Sequence, residues 1–367
     1  MFRARTLTPA AAPFLVHLLL TLALLAVPAW LHAESDASEG GKPQKLFESD
    51  DALQVTMVGP WRDIERDRNN QDPYPARLDY RDAGGQAVSL PITAERRGIK
   101  RQQVCRFPPI KLRFEKDTVK GTTFRGQKSL KMVTYCDRSS RYEQYNLLEM
   151  LSYRMYNQLT DFSFRVRPLS VTWKDAESGK SYGPRFGFLI EDDSDVAKRN
   201  GLEKLKIPRV TPTQLDAQLT SIFSLFQYMI GNVDWASLGG PDPEECCHNV
   251  KLISKEPLAP GDPIYPVPYD FDSAGIVDAF YAAPPDGLPI RSVTQRLYRG
   301  YCAHNSTLES ARQLFLAKED TMFSLLRNEP ELNSGARRKA ERYLERFFNT
   351  LKDPEEFREQ ITERCRK

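Results

Sequence analysis

The chain has 367 residues, with 52 Lys and Arg against 49 Asp and Glu, four His and six Cys. That length admits one large domain or two smaller ones, and 40% apolar with 28% charged residues excludes disordered and fibrous classes. A net charge of +3 carries no nucleic-acid footprint, and so few histidines leave little room for a multi-histidine metal site.

Residues 1–33 read as a secretory signal: Arg3 and Arg5 first, an apolar run from Phe14 to Val27, then Leu31-His32-Ala33 as a small-residue cleavage site. The run is shorter than the ~20 residues a bilayer needs, which argues for removal over anchoring. Removal takes away two Arg and two of the four His, leaving 50 basic (52 − 2) against 49 acidic side chains. No later segment is apolar enough to span a membrane, so the expectation is an exported protein, periplasmic or secreted, without a stable membrane span. All six Cys lie after the signal, and an even count in an exported chain predicts disulfides. Cys105 with Cys136 is a plausible staple between two strand-like segments, but spacing leaves the connectivity open. Cys246-Cys247-His248 has an alternative reading as a metal cluster, although the usual C-x-x-C partner pair is missing.

Residues 34–48 are polar and read as a flexible leader. From about 50 to 135, apolar residues alternate with polar ones, as in Leu53, Val55, Met57 and in Ile110, Leu112, Phe114, which predicts half-buried strands. The period then changes. Leu147, Leu148, Leu151, Met155 and Leu159 recur at helical steps across 142–159. Two strand-like runs follow at 164–173 and 185–191. A helix is expected from Thr213 to Gly231, with Thr211-Pro212-Thr213 as its start, and two more at 308–326 and 336–351. Strands first and helices later argue for an α+β chain, with a β-rich part at 49–191, a helical part at 192–367, and Glu191-Asp192-Asp193 at the junction.

The segment 231–272 carries the chemistry. A loop after Gly231 presents Asn232, Asp234 and Trp235; Asn249 opens a strand; a second strand ends in Tyr269-Asp270-Phe271-Asp272. Phosphoryl transfer needs a carboxylate to take the proton of an attacking hydroxyl, an amide oxygen and a carboxylate to hold Mg²⁺, and a Lys fixed by a Glu to orient the phosphates. Asp234, Asn249 and Asp270 match in type, order and strand-end placement. No G-x-S-x-G or H-E-x-x-H is present to support serine-hydrolase or zinc-protease chemistry.

This order, Gly231-Asn232-x-Asp234, then His248-Asn249, then Tyr269-Asp270, resembles the catalytic core of the atypical HipA-type kinases. More broadly the chain resembles the spore coat protein H (CotH) kinase-like family, through Arg97-Gly98, Pro109 to Phe114, the strand around Lys131, the helix from Tyr142 and the strand ending in Phe188 to Glu191. The resemblance covers about residues 90–275. It implies a two-lobed protein-kinase-like fold, with a β-rich N-lobe carrying one main helix and a mostly helical C-lobe. It implies an exported phosphotransferase that moves a phosphoryl group from ATP, with Mg²⁺ or Mn²⁺, to a protein or small-molecule hydroxyl. Asp234 is then the base, and Asn249 and Asp270 are metal ligands. Asp272 is either a further ligand or a cap. Lys131 orients the phosphates with Glu149, with Lys111 and Glu143 as alternatives, and Glu191 sits where adenine binds. Two features depart from this pattern. Asp234 and Asn249 are fifteen positions apart (249 − 234), where protein kinases have five, so 236–247 must loop out. No G-x-G-x-x-G precedes Lys111 or Lys131. These departures support an alternative reading, a catalytically weak or inactive chain serving as a binding or structural module in an envelope or secreted assembly.

Overall fold

The alternating apolar residues of the first half form strands because alternate side chains can leave water on one face. The computed structural model describes residues 45–67, 72–241 and 245–367. The expected signal at 1–33 and most of the leader at 34–48 lie outside the described residues. The chain divides into two units, Met1–Gly41 and Lys42–Lys367, and all that follows concerns the second. The described end of the leader is packed: Leu46 is buried, and Arg167 donates to the carbonyls of Leu46 and Ser49.

Seven strands build the first half: β1 (Leu53–Gly59), β2 (Tyr74–Arg81), β3 (Ala87–Arg96), β4 (Ile110–Phe114), β5 (Ser129–Val133), β6 (Val166–Asp175) and β7 (Ser181–Ile190). Between them lie α1 (Trp61–Arg66), α2 (Lys100–Val104) and α3 (Ser140–Asn157). The strands close into a barrel in the order β1-β2-β3-β4-β5-β7-β6. Closure comes from β1, which runs antiparallel to β2, with Val55 opposite Tyr80, and parallel to β6, with Leu53 opposite Leu169. Val55, Met57, Leu78, Leu90, Ile92, Leu112, Met132, Val171 and Trp173 belong to the apolar interior. Trp61, Phe107 and Trp173 meet edge to face there.

The second half contributes α4 (Asp193–Arg199), β8 (Glu203–Lys204), α5 (Ala217–Ile230), β9 (Val250–Ser254), β10 (Tyr265–Pro268), α6 (Asn305–Ala317), α7 (Glu319–Arg327), α8 (Ser334–Lys352) and α9 (Pro354–Gln360). Strands β10, β9 and β8 form a separate three-stranded sheet.

This architecture corrects the expectation of a two-lobed kinase-like fold with a helical C-lobe. The mixed barrel closes on itself through the parallel β1–β6 pair, and the second half contains a sheet of its own. The α+β order of elements did not reveal closure, because strand order along the chain does not say which edges pair.

Individual elements also differ from expectation. Thr211-Pro212-Thr213 opens only a 3-10 turn; α5 starts at Ala217, where the Asp216 side chain accepts from the Leu219 N–H. The helix expected at 308–326 is two, parted at Lys318.

All six cysteines pair: Cys105 with Cys136 as anticipated, Cys246 with Cys247, and Cys302 with Cys365. The adjacent pair corrects the Cys-Cys-His metal reading. Among the described residues no helix is long and apolar enough to cross a membrane.

Candidate functional site

Twelve buried residues make α5 an interior helix, and its end sets the site. Gly231 caps α5 in the left-handed region (φ 68°), where a Cβ would collide with the Tyr343 hydroxyl. The chain then turns: the Asn232 side chain accepts from the Asp234 N–H at 3.0 Å. Arg299 donates to the carbonyls of Val233 and Trp235, on either side of Asp234, and stacks 4.8 Å from the centre of the Trp235 ring. These contacts fix the backbone that presents Asp234.

A two-way backbone bridge between Ala236 and His248 brings His248 and Asn249 to Asp234. The two ends of the fifteen-position gap are thus joined at Ala236 and His248. His248 Nε2 lies 2.9 Å from Asp234 Oδ1. Asn249 Nδ2 donates to the Asp234 carbonyl at 2.7 Å and to Oδ2 at 3.2 Å. This fixes the amide so that Oδ1 is its remaining oxygen.

Asp270 comes to the same place by a different route. Pro268 of β10 pairs with Val250 of β9, and the Tyr269 N–H donates to the Asn249 carbonyl. The Asp270 N–H donates to the Tyr153 hydroxyl of α3 at 2.7 Å. Phe271 packs on Tyr153 and Phe226, and the Gly275 N–H donates to the Gly231 carbonyl. Asn249 and Asp270 both adopt positive φ, 52° and 64°. Such conformations are uncommon outside Gly, and Asn and Asp tolerate them best.

A buried ionic cluster lies behind Asp270. Arg101 of α2 donates from Nε to Asp272 Oδ2 at 2.6 Å and from Nη2 to Glu149 Oε2 at 2.7 Å, and Nη2 is 3.7 Å from Asp270 Oδ1. Asp272 Oδ2 also accepts from the Tyr281 hydroxyl at 3.0 Å, and Oδ1 from Ser273 at 3.3 Å. Burial pushes Glu149 up to about 8 despite Arg101. It also raises Asp270, with neighbouring Asp272 adding to the effect. Burial acts on Asp272 in the same direction, but Arg101 holds its carboxyl below the ordinary value. Opposite charges and desolvation thus compete within one cluster.

The expected residues are therefore brought together only in part. Asp234, Asn249 and Asp270 converge, with His248 bridging them electrostatically: the bond to Asp234 raises its pKa, and Asp270 adds to the shift. Glu149 pairs with Arg101 rather than with Lys131. Lys131 is half-buried on β5, opposite Lys111 on β4, with its Nζ 4.4 Å from the centre of the Tyr269 ring. Burial pushes its amine down to about 8, and Arg97 adds to this; Asp270 is among the acids that oppose it. Lys111 shares the face of Glu95 and Lys131. Glu143 accepts from Arg185 at 2.8 Å. Glu191 is buried as a structural anchor, accepting from the Arg165 N–H and the Arg199 guanidinium at 3.0 Å each. A cavity of about 430 Å³ beside Arg154 and Arg165 shares none of the residues of the Asp234–Asp270 site.

Sequence reasoning missed Arg101, Tyr153 and Tyr281. The basic run from Arg96 to Arg106 was the one signal for Arg101, and nothing in it marks which arginine turns inward.

Among the described residues, no group of three or more His, Cys, Asp or Glu is arranged to hold a metal ion. Mg²⁺ does not require such a cage: it takes one or two carboxylates, and water and phosphate complete its shell. Asn249 Oδ1 and the Asp270 carboxylate, 36% exposed, suit that role. Asp272 already accepts three hydrogen bonds, two of them at Oδ2.

In comparisons with known proteins, the chain matches no family model, no curated protein and no solved structure.

Proposed function

We propose that this chain transfers a phosphoryl group from a nucleotide to a hydroxyl, in an oxidising compartment outside the cytosol. One observation carries the reading. Asp234, Asn249 and Asp270, far apart in sequence, meet at one place, with Asn249 bonded to Asp234 and Tyr269 bonded to Asn249. This is the inventory that phosphoryl transfer uses: a carboxylate base beside an amide and a carboxylate that hold the metal.

In this reading Asp234 takes the proton of the acceptor hydroxyl as its oxygen bonds to phosphorus. The bond from phosphorus to the leaving nucleoside diphosphate breaks, and the electron pair leaves with the diphosphate oxygen. His248 holds Asp234 in position. Asn249 and Asp270 would hold Mg²⁺ or Mn²⁺, which when bound supplies charge neutralisation at the phosphates. Lys131, with Arg97 near it and Asp270 acting on its amine, is the lysine this reading assigns to the phosphates. The three disulfides support an exported protein.

The test is calorimetric and chemical. ATP with Mn²⁺ should raise the melting temperature in a concentration-dependent way, and label from γ-phosphate should reach a hydroxyl acceptor. No shift at millimolar nucleotide and metal overturns the proposal. A binding module without catalysis is the second reading, favoured by the Arg101 guanidinium already lying against Asp272 and Asp270. Under that reading, Asp234→Ala leaves biological activity intact.

A further inference from the structure

Arg101 is the enclosed cation of the site. Its side chain is 7% exposed, and the carboxylates it meets come from two other parts of the chain: Glu149 from α3, and Asp270 and Asp272 from the loop after β10. A buried guanidinium is stable only when carboxylates pair with it, and a buried carboxylate only when a cation pairs with it. Here one guanidinium serves three carboxylates.

We propose that Arg101 stands in for a second metal ion. The site then takes one divalent cation per nucleotide, at Asn249 and Asp270, with Asp272 outside its ligands. This rests on the phosphoryl-transfer reading above. Protein kinases hold two Mg²⁺ ions with a carboxylate and an amide. A second ion in this chain would have to reach Asp272 at roughly 2.0–2.1 Å. Asp272 Oδ2 already accepts two hydrogen bonds, one from Arg101 at 2.6 Å, and Oδ1 accepts a third. A fixed positive charge at that distance also repels another cation. Asp270 is 36% exposed and accepts no hydrogen bond from Arg101, whose nearest nitrogen is 3.7 Å away.

The experiment is Mn²⁺ titration of the full chain, followed by electron paramagnetic resonance, with a non-hydrolysable ATP analogue and without it. Wild-type protein should bind one Mn²⁺ with the analogue present. Arg101→Met should bind a second ion, or bind the first at least tenfold tighter without nucleotide. Arg101→Lys should retain the single ion. Asp270→Asn should weaken binding at least tenfold, and Asp272→Asn, which removes no ligand and only leaves Arg101 less neutralised, should weaken it several-fold less. This last pair decides the matter even where Arg101→Met fails to fold. Two ions in the wild type, or equal losses from Asp270→Asn and Asp272→Asn, overturn the one-ion assignment alone. No Mn²⁺ bound under any condition overturns the phosphoryl-transfer reading together with it.

Discussion

His248 Nε2 stands 2.9 Å from Asp234 Oδ1, fourteen positions earlier in the chain, and a backbone pairing of Ala236 with His248 brings the two together. That pairing sets a carboxylate and an imidazole side by side at the surface, where Asp234 and His248 are 35% and 40% exposed.

Asp234→Asn tests this arrangement. The substitution keeps the shape and removes the proton acceptor. General-base removal costs roughly 10²–10⁴ in rate. The turnover number for phosphoryl transfer should fall within that range, while the affinity for nucleotide stays near wild type. Initial rates with saturating nucleotide, alongside a nucleotide titration, check both.

Gly231→Ala should disturb the same site from the backbone. The left-handed conformation costs a non-glycine residue about 1–2 kcal/mol, and the new Cβ meets the Tyr343 hydroxyl. Chemical denaturation should show a loss of about 2 kcal/mol or more. Removing the obstructing oxygen with Tyr343→Phe should restore part of it in the double variant.

Lys131 makes stability depend on pH in a defined direction. Its folded-state pKa, about 8, lies below the ordinary 10.5. The folded state therefore binds fewer protons than the unfolded state between those values, so stability rises with pH across that window and is lost again as pH falls through 8. At pH 7 the charged amine is a net cost. Lys131→Met should stabilise the chain there by about 1–3 kcal/mol, the upper figure discounted for partial exposure. The gain should fade towards pH 10.5 in melting curves of the two proteins.

The cross-link from Cys105 to Cys136 spans 31 positions and follows directly on α2. Loop-closure entropy for that span is worth about 3–4 kcal/mol. Cys105→Ser with Cys136→Ser should lower the unfolding free energy by that amount in urea. Hydrogen exchange should quicken most at 100–107, the stretch that delivers Arg101.

Much of the local structure was legible along the chain. The two-residue alternation at 53–57 and 110–114 became β1 and β4, and the helical recurrence of Leu147, Leu151 and Met155 became α3. The order Asp234, Asn249, Asp270 between Gly231 and Asp272 was also legible, and the fold brings these residues near one another. Such patterns are one-dimensional: they record which side of a segment leaves water. The joining of β1 to β6, which closes the barrel, has no such record, because edge pairing depends on sheet twist and on what fills the interior. Nor does the meeting of Arg101 with Glu149 and Asp272, 48 and 171 positions away. A guanidinium pairs with whichever carboxylates the packed chain encloses beside it, and only folding makes them neighbours.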